Sequence, residues 1–215
     1  MERYNDLIRL ALEWNEKINI TAITDPKEFL EKNILDSLAI VSEPAIENAK
    51  KVLDLGTGGG YPGLPLAMHY PDKEFVLMDS VNKKLGVIDD IANKLEIKNV
   101  RTVHGRAEDL AKEKEYRDSF DLVVSRAVAS MPTLVEYALP FVKPGGFFVA
   151  YKTESALDEV VLANKAITEL GGRLSKIENV GGKNSGHLLV LVEKLVETPK
   201  AFPRKAGEAK RNPLL

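Results

Sequence analysis

One segment of the chain constrains its fold more than any other. Residues Val52–Gly63 read VLDLGTGGGYPG, in which a short strand-like run leads directly into a loop with five glycines in eight positions. Glycine tolerates positive φ and carries no Cβ, so such a loop lets a strand turn sharply and lets a ligand approach the backbone. The segment therefore predicts the strand, turn and helix start of a Rossmann-like α/β domain.

Short apolar runs recur after this segment and alternate with stretches long enough for helices. Their nearly continuous apolar character predicts strands buried on both faces of a parallel sheet. The alternation predicts a doubly wound domain. The predicted strands are Val52–Leu55, Phe75–Met78, Val100–Val103, Leu122–Val124 and Phe147–Ala150. The predicted crossover helices include Lys83–Leu95, Met131–Phe141 and Ser155–Leu170.

The end of the domain has a different pattern. Two further strand-like runs, Leu174–Val180 and Leu188–Glu193, are separated only by residues 181–186, which read GGKNSG. So short a connection leaves no room for a crossover helix, and the two strands must pair antiparallel. We therefore predict an α/β, mostly parallel seven-stranded sheet that ends in an antiparallel hairpin.

A helical stretch precedes the sheet. Apolar residues at helical spacing predict an amphipathic helix over residues 2–19. Thr24-Asp25-Pro26 is typical of a helix cap with proline in the first turn, and the helix that follows carries one apolar face, formed by Leu30, Ile34, Leu38 and Val41. The predicted organisation is an N-terminal helical extension (1–48), a Rossmann-like domain (49–195) and a basic C-terminal tail (196–215).

Composition excludes several classes of protein. The chain of 215 residues contains no cysteine, which excludes disulfides, thiolate metal sites and thiol nucleophiles. His69, His104 and His187 lie far apart in the sequence, so we predict no metal site. No apolar run approaches the roughly 18 residues that span a bilayer, and the N-terminal residues MERYNDLIRL predict no secretory signal. We expect a cytoplasmic protein without a membrane partner.

The charge distribution is more informative than the total. The net charge of −2 lacks the basic excess of a typical nucleic-acid-binding protein. Residues 198–215, however, contain five basic side chains against one acid. This basic stretch has two interpretations at this stage, a frayed and solvated tail or a contact for an anionic partner.

The glycine loop fits two cofactors. Residues 58–63 match the dinucleotide pattern G-x-G-x-x-G, whereas residues 54–60 match D-x-G-x-G-x-G, which resembles the first motif of class I methyltransferases. Asp79 ends the second predicted strand, where an acid accepts hydrogen bonds from ribose hydroxyls. Both cofactors contain such a ribose, so Asp79 supports either one.

Other positions favour S-adenosyl-L-methionine as the cofactor and methyl donor. Asp54 inside the first strand, Ala107-Glu108 after the third and the turn Lys143–Gly146 before the fifth match methyltransferase positions. A dehydrogenase of this type would usually carry a separate substrate domain, but only 20 residues follow residue 195. We therefore predict a methyltransferase. An NAD(P)-dependent oxidoreductase and a non-catalytic RNA- or ribosome-binding module remain as alternatives.

The missing residue types also narrow the methyl acceptor. Methylation of carbon 5 of a pyrimidine requires a cysteine nucleophile, which this chain lacks. Adenine amine methylases usually carry Asn/Asp-Pro-Pro-aromatic after the fourth strand, where this chain has Val124–Val128, VSRAV. A ring nitrogen with a free lone pair, such as guanine N7, needs no base and mainly requires positioning. Oxygen and protein side-chain acceptors stay open.

Five stretches resemble one family closely. They are Trp14–Thr21 (WNEKINIT), Ile34–Ser37 (ILDS), the loop Gly56–Gly63, Ser125–Ser130 (SRAVAS) and Phe202–Gly207 (FPRKAG). In these stretches the chain resembles the bacterial glucose-inhibited division protein B family, also called ribosomal RNA small subunit methyltransferase G. The resemblance implies methylation of N7 of one guanine in 16S ribosomal RNA near the decoding region. The implied partner is 16S ribosomal RNA or the small ribosomal subunit, and we expect a monomer.

The residues and the resemblance together predict seven cofactor contacts. These are Gly56, Gly58, Tyr61, Asp79, Ala107, Glu108 and Arg126. The resemblance implies that Gly56 and Tyr61 line the methionine and sugar side of the cofactor, and that Ala107 and Glu108 line its adenine. It also implies that Arg126 lies between cofactor and substrate as the catalytic residue.

The resemblance further suggests RNA contacts and shows one departure. Arg204 and Lys205 would contact phosphates, each steepening the salt dependence of binding by about one unit. Lys152, just beyond the fifth strand, is a further candidate for a phosphate contact. The family usually has arginine-histidine before the L-D-S run, whereas this chain has Lys32-Asn33, so the role of Asn33 is open.

Overall fold

Seven strands form one mixed sheet in a computed structural model that describes residues 2–180 and 186–215. The strand order is β3-β2-β1-β4-β5-β7-β6, and the first five strands are parallel. The strands are β1 (Lys51–Leu55), β2 (Glu74–Asp79), β3 (Val100–His104), β4 (Phe120–Arg126), β5 (Val142–Thr153), β6 (Gly172–Val180) and β7 (His187–Lys194). The predicted fold class is confirmed, and the observed strands are longer than the predicted runs.

The hairpin at the end of the sheet is also confirmed. Strand β7 pairs antiparallel with both β5 and β6. The predicted connecting loop spans residues 181–186, and residues 181–185 of it lie outside the part of the chain that the structure describes.

Helices cover both faces of the sheet because successive strand residues point to opposite sides. In β2, Phe75 and Leu77 pack into one core, whereas Val76 and Met78 pack into the other. The helices are α1 (Glu2–Asn15), α2 (Pro26–Phe29), α3 (Pro44–Glu47), α4 (Gly63–His69), α5 (Asn82–Lys94), α6 (Ala107–Leu110), α7 (Met131–Ala138), α8 (Leu157–Leu162), α9 (Asn164–Glu169) and α10 (Glu208–Arg211). Within the described ranges, no helix is long and apolar enough to cross a membrane.

The N-terminal helices are shorter and less regular than the sequence predicts. Helix α1 ends at Asn15, whose side-chain oxygen accepts hydrogen bonds from the backbone N–H groups of Ile20 and Thr21. A local side-chain acceptor of this kind competes with continued helix formation. The predicted second helix consists of α2, a π-helical segment (Leu30–Leu35) and a 3₁₀ turn (Ser37–Ile40).

The C-terminal segment, residues 196–215, packs on the domain rather than fraying into solvent. The Arg117 guanidinium donates hydrogen bonds to the carbonyls of Thr198 and Phe202. Near the end of the segment Ala209 is buried, and its carbonyl accepts a hydrogen bond from the Thr133 hydroxyl on α7. The frayed-tail interpretation is therefore wrong for these residues.

A buried lysine holds the start of this segment to the sheet. The side chain of Lys194 at the end of β7 is 0% exposed, and its ammonium donates to the carbonyls of Leu139 and Val142. It also bonds the Thr198 hydroxyl and lies 2.8 Å from an Asp118 carboxylate oxygen. Burial lowers the pKa of Lys194, and the hydrogen bond to Asp118 opposes that effect.

We expect Lys194→Met to lower the free energy of unfolding by about 3 kcal/mol, because it removes the buried ammonium that pairs with Asp118 and bonds the carbonyls of Leu139 and Val142. Urea unfolding followed by circular dichroism measures this change. Arg173→Met, on neighbouring β6, is the control because Arg173 is exposed, and it should leave stability nearly unchanged. Equal stability of Lys194→Met and the unaltered protein would contradict the role assigned to Lys194.

The glycine loop is held by the carboxylate of Asp54, which lies inside β1. One Asp54 oxygen accepts hydrogen bonds from the Thr57 hydroxyl at 2.6 Å and the Gly63 backbone N–H at 2.8 Å. The other oxygen is buried without a hydrogen-bond partner among the described residues. Burial raises the pKa of Asp54 to about 6, although the bonds from Thr57 and Gly63 act in the opposite direction. The Asp54 carboxylate therefore anchors the glycine loop to β1.

The raised pKa makes stability depend on pH. The folded chain favours protonated Asp54, so protonation of this side chain stabilises the fold. This stabilisation is fully present below the unfolded pKa near 4 and is lost as pH rises through about 6. Asp54→Asn keeps a neutral side chain at every pH. The stability of Asp54→Asn relative to the unaltered protein should therefore rise by about 2–3 kcal/mol between pH 4 and pH 7.

Urea unfolding at four pH values measures that rise. Asp121→Asn is a control, because Lys143 and the backbone N–H groups of Lys50 and Lys51 lower the pKa of Asp121 despite its partial burial. The stability of Asp121→Asn relative to the unaltered protein should not rise between pH 4 and pH 7. If the stability difference between Asp54→Asn and the unaltered protein stayed constant over these pH values, it would contradict the raised pKa of Asp54.

Candidate functional site

A cavity of about 670 Å³ opens at the carboxyl edge of the parallel strands. Its walls come from the loops that follow β1, β2, β3 and β4, which is where ligands bind in open α/β sheets. All seven residues predicted to contact the cofactor line this cavity. Their contact with a cofactor stays a prediction, but the fold brings them together from positions up to 70 residues apart in the sequence.

The glycine loop forms the floor of the cavity. Gly56 and Gly58 adopt φ of 71° and 60°, a conformation that other residues rarely take. A Cβ on Gly56 would lie 2.4 Å from a Val128 methyl carbon, so the loop after β4 can approach only a glycine. At Gly58 the added Cβ would meet only a carbonyl oxygen at 4.0 Å, which leaves the backbone open toward the cavity.

Asp79 fixes this loop from the end of β2. Its two carboxylate oxygens accept hydrogen bonds from the backbone N–H groups of Gly58, at 2.9 Å, and Val81, at 2.8 Å. A carboxylate offers about four acceptor positions, so both oxygens can accept further hydrogen bonds from a ligand's hydroxyl groups. Asp79 therefore shapes the loop and remains available to a ribose.

Two buried polar groups beside the cavity lack an internal partner. The Tyr61 hydroxyl and the Asn33 amide nitrogen are buried without a hydrogen bond among the described residues, and both side chains line the cavity. Burial raises the pKa of Tyr61, so its hydroxyl stays protonated. Buried polar groups are normally paired, and a polar ligand in the cavity could pair these two.

Arg126 joins β4 to the N-terminal helices. Its guanidinium donates to the Lys32 carbonyl at 2.7 Å, to Asp36 at 2.9 Å and to the Asn33 side-chain oxygen at 2.8 Å. It also lies 5.8 Å from the centre of the Tyr61 ring. Asn33 thus supplies an acceptor to Arg126, a role that one ring nitrogen of a neutral histidine can also fill.

Arg126 also borders a second, smaller cavity. This cavity of about 330 Å³ lies beside the first and shares Arg126 and Ala127 with it. Asp36 connects Arg126 to His187, whose Nδ1 lies 2.6 Å from the other Asp36 oxygen. Arg126 therefore stands at the boundary between two adjoining spaces, as a residue between cofactor and substrate would.

Glu108 lies at the start of α6, on the opposite wall of the main cavity. One of its oxygens accepts a hydrogen bond at 2.9 Å from the backbone N–H of Gly207. Tyr137 is its neighbour, and burial together with the Glu108 charge raises the pKa of that tyrosine. Sequence reasoning missed that Gly207 and Lys210 line this cavity, because no motif in residues 196–215 indicates a cofactor.

The three predicted RNA contacts differ in their surroundings. The Lys152 ammonium bonds the Ala129 carbonyl and lies 3.1 Å from Glu159. Arg204 forms three side-chain hydrogen bonds with Glu136, and only Lys205 is exposed. Lys152 and Arg204 therefore each pair with a carboxylate of the chain, which a phosphate would have to share or displace, and their contact with RNA stays a prediction.

The fold matches solved methyltransferases of low sequence identity. A SAM-dependent methyltransferase from Aquifex aeolicus superposes with a TM-score of 0.62 at 19% identity, over 86% of this chain and 98% of that one. A fibrillarin pre-rRNA processing protein from Methanococcus jannaschii gives a TM-score of 0.60 at 14% identity, over 78% and 77% of the two chains. At such identities the similarity establishes the fold alone.

Sequence comparison is more specific. The chain matches the family described as rRNA small subunit methyltransferase G over residues 1–189. It is 46% identical to ribosomal RNA small subunit methyltransferase G of Clostridium novyi, over 100% of this chain and 90% of that protein. The corresponding protein of Desulfitobacterium hafniense is 42% identical, over 100% and 90%. This chain therefore belongs to the rRNA small subunit methyltransferase G family.

Proposed function

We propose that the protein transfers a methyl group from S-adenosyl-L-methionine to N7 of a guanine in 16S ribosomal RNA. One observation carries the proposal: a single cavity gathers the glycine loop, Asp79, Ala107-Glu108 and Arg126 in a chain of the rRNA small subunit methyltransferase G family. The predicted interpretation as an oxidoreductase rests on glycine spacing alone and has no support in the family match.

The chemistry of the cavity suits this cofactor. Asp79 would accept hydrogen bonds from the ribose hydroxyls, and Gly58 would allow the ligand to approach the backbone. The unpaired Tyr61 hydroxyl and Asn33 amide are donors suited to the oxygen atoms of a polar ligand. Ala107 and Glu108 would line the adenine. When bound, S-adenosyl-L-methionine supplies a methyl group on a positively charged sulfur.

The proposed acceptor asks little of the protein beyond positioning. Guanine N7 has a lone pair in the plane of the ring and attacks the methyl carbon without prior removal of a proton. The reaction therefore needs neither a general base nor a metal, and the protein gains rate by holding the two reactants in line. Arg126 would take part in this positioning, a role supported by its hydrogen bonds to Asn33 and Asp36 at the boundary of the two cavities.

RNA binding would involve the exposed Lys205 and, if their internal partners are shared, Arg204 and Lys152. Phosphate contacts of this kind position RNA but do not select a base. The proposal places the protein in the cytoplasm, acting as a monomer on 16S ribosomal RNA or the small subunit.

We expect ribosomal RNA from cells that lack this protein to accept tritiated methyl groups from S-adenosyl-L-methionine when the purified protein is added. After digestion to nucleosides, the label should appear as 7-methylguanosine in 16S ribosomal RNA. RNA from cells that contain the protein is the control and should accept little label. Label in protein or in another nucleoside would refute the acceptor. Calorimetric binding of NAD(P)H but not S-adenosyl-L-methionine would favour the oxidoreductase alternative.

Arg126→Ala should lower the rate of methyl transfer at saturating cofactor by at least about tenfold, which is about 1.4 kcal/mol of transition-state stabilisation. Arg126→Lys should recover only part of the rate, because an ammonium cannot reproduce the planar fork that bonds Asn33 and Asp36. Cofactor affinity, measured by calorimetry, separates loss of positioning from loss of the cofactor site.

Arg101→Ala is the matched control, since this arginine lies on β3, does not line the cavity and contacts Glu74, Glu115 and the Tyr116 ring. Its rate should match that of the unaltered protein. An unchanged rate for Arg126→Ala would remove Arg126 from the proposed site.

A further inference from the structure

The C-terminal segment reaches the main cavity, which is otherwise lined by the α/β domain and by residues of the N-terminal extension. Gly207 and Lys210 line it beside Glu108. Gly207 adopts φ of 79°, and its backbone N–H points at the Glu108 carboxylate with a donor–acceptor distance of 2.9 Å. A residue 99 positions along the chain thus orients the side chain that is predicted to line the adenine.

A second contact holds the segment a short distance before Gly207. The side chain of Arg204 bonds both carboxylate oxygens of Glu136 on α7, at 2.6 to 3.1 Å. The Arg204 backbone N–H donates to the same carboxylate at 2.9 Å. The Glu136 side chain is 1% exposed, so the segment covers a charge that would otherwise be solvated. Arg204 therefore ties the segment to the domain without lining the cavity itself.

We propose that the C-terminal segment is a wall of the cofactor site and that Glu108 couples its docking to cofactor binding. This inference rests on the proposed function, because it requires that the cavity bind S-adenosyl-L-methionine or its demethylated product. It assigns Arg204 and Gly207 as positioning residues that act through Glu108.

The coupling follows from the position of Glu108, which contacts both the segment and the cavity. With the segment docked, the Gly207 N–H bonds one Glu108 oxygen and so restrains a side chain that lines the cavity. Without the segment, Glu108 would lose that restraint and Gly207 and Lys210 would leave the wall. A ligand that prefers the docked form raises its population, and docking raises the affinity for the ligand by the same factor.

Docking would also organise positive charge. The segment carries Lys200, Arg204, Lys205, Lys210 and Arg211. Cofactor binding would then order these cations at the edge of the cavity before RNA arrives. The expected consequence is that cofactor and RNA bind with positive cooperativity.

Arg204→Ala tests the inference in the full chain. The substitution removes the guanidinium that neutralises buried Glu136 and leaves that carboxylate with the backbone N–H of residue 204 while the segment is docked, whereas release of the segment rehydrates it. We expect the variant to bind S-adenosylhomocysteine at least about fivefold more weakly by calorimetry, since only the docked fraction binds with full affinity. Backbone amides of residues 204–211 should exchange hydrogen faster than in the unaltered protein.

Arg211→Ala is the matched control. It removes the same charge from the same segment, but Arg211 is 69% exposed and pairs only with Glu208. Its affinity for S-adenosylhomocysteine should match that of the unaltered protein. Faster exchange in Arg204→Ala with unchanged affinity would overturn the coupling. If the unaltered protein bound neither S-adenosylhomocysteine nor S-adenosyl-L-methionine, the proposed function itself would fail.

A second pair of variants serves if Arg204→Ala does not fold. At Gly207 an added Cβ meets nothing within 4 Å, so Gly207→Ala introduces backbone strain at positive φ without a clash. Gly145, in the early part of β5, has φ of 83°, and a Cβ added there also meets nothing within 4 Å. Gly145→Ala is therefore the control. Gly207→Ala should weaken the binding of S-adenosylhomocysteine by about threefold, whereas Gly145→Ala should leave it unchanged.

The unaltered protein provides a test that needs no variant. Saturating S-adenosylhomocysteine should slow hydrogen exchange at the amides of residues 204–211, because ligand and docked segment stabilise each other. Exchange that is equally fast with and without the ligand would overturn the inference.

Discussion

The carboxylate of Asp54 is the constraint on which the cavity depends. It lies in β1, the middle one of the five parallel strands, and holds both ends of the glycine loop, through the Thr57 hydroxyl and the Gly63 backbone N–H. The loop in turn presents Gly58 to Asp79. A buried carboxylate costs free energy, and the raised pKa of Asp54 is a measure of that cost. The hydrogen bonds from Thr57 and Gly63 offset part of this cost, since they act to lower the pKa of Asp54.

Arg126 extends the same architecture toward the N-terminal helices. The apolar packing of α1 and α2 brings the extension onto the sheet, but three polar contacts from Arg126 to Lys32, Asn33 and Asp36 set its register beside the cavity. The fork of an arginine suits this task, because it bonds several acceptors in fixed directions. The extension thereby becomes part of the wall, and Asn33 faces the ligand space that the loop creates.

The elements with strong local signals were predictable, and the long-range polar contacts were not. The parallel strands, the closing hairpin and the glycine loop follow from periodicity and turn chemistry, which act over a few residues. The buried position of Lys194 and the pairing of Arg204 with Glu136 do not, because a sequence displays a charge without its partner. The second predicted helix is divided into α-helical, π-helical and 3₁₀ segments, and this division also depends on tertiary packing. All seven predicted cofactor residues line one cavity because family motifs encode sites that the fold assembles.

The placement of charge explains how a chain with a net charge of −2 could engage RNA. Lys152 and Arg204 are matched to internal carboxylates, so they add little to the long-range field. Lys210, an exposed cation of the C-terminal segment, lines the cavity, and the exposed Lys205 lies five residues before it in the same segment. Attraction to a phosphate backbone is sequence-independent, and its location decides which part of the RNA is held near the site. The C-terminal segment is also proposed to line the cofactor site, so its basic residues would hold RNA near the methyl donor. A modest local excess of positive charge would then be sufficient for RNA binding.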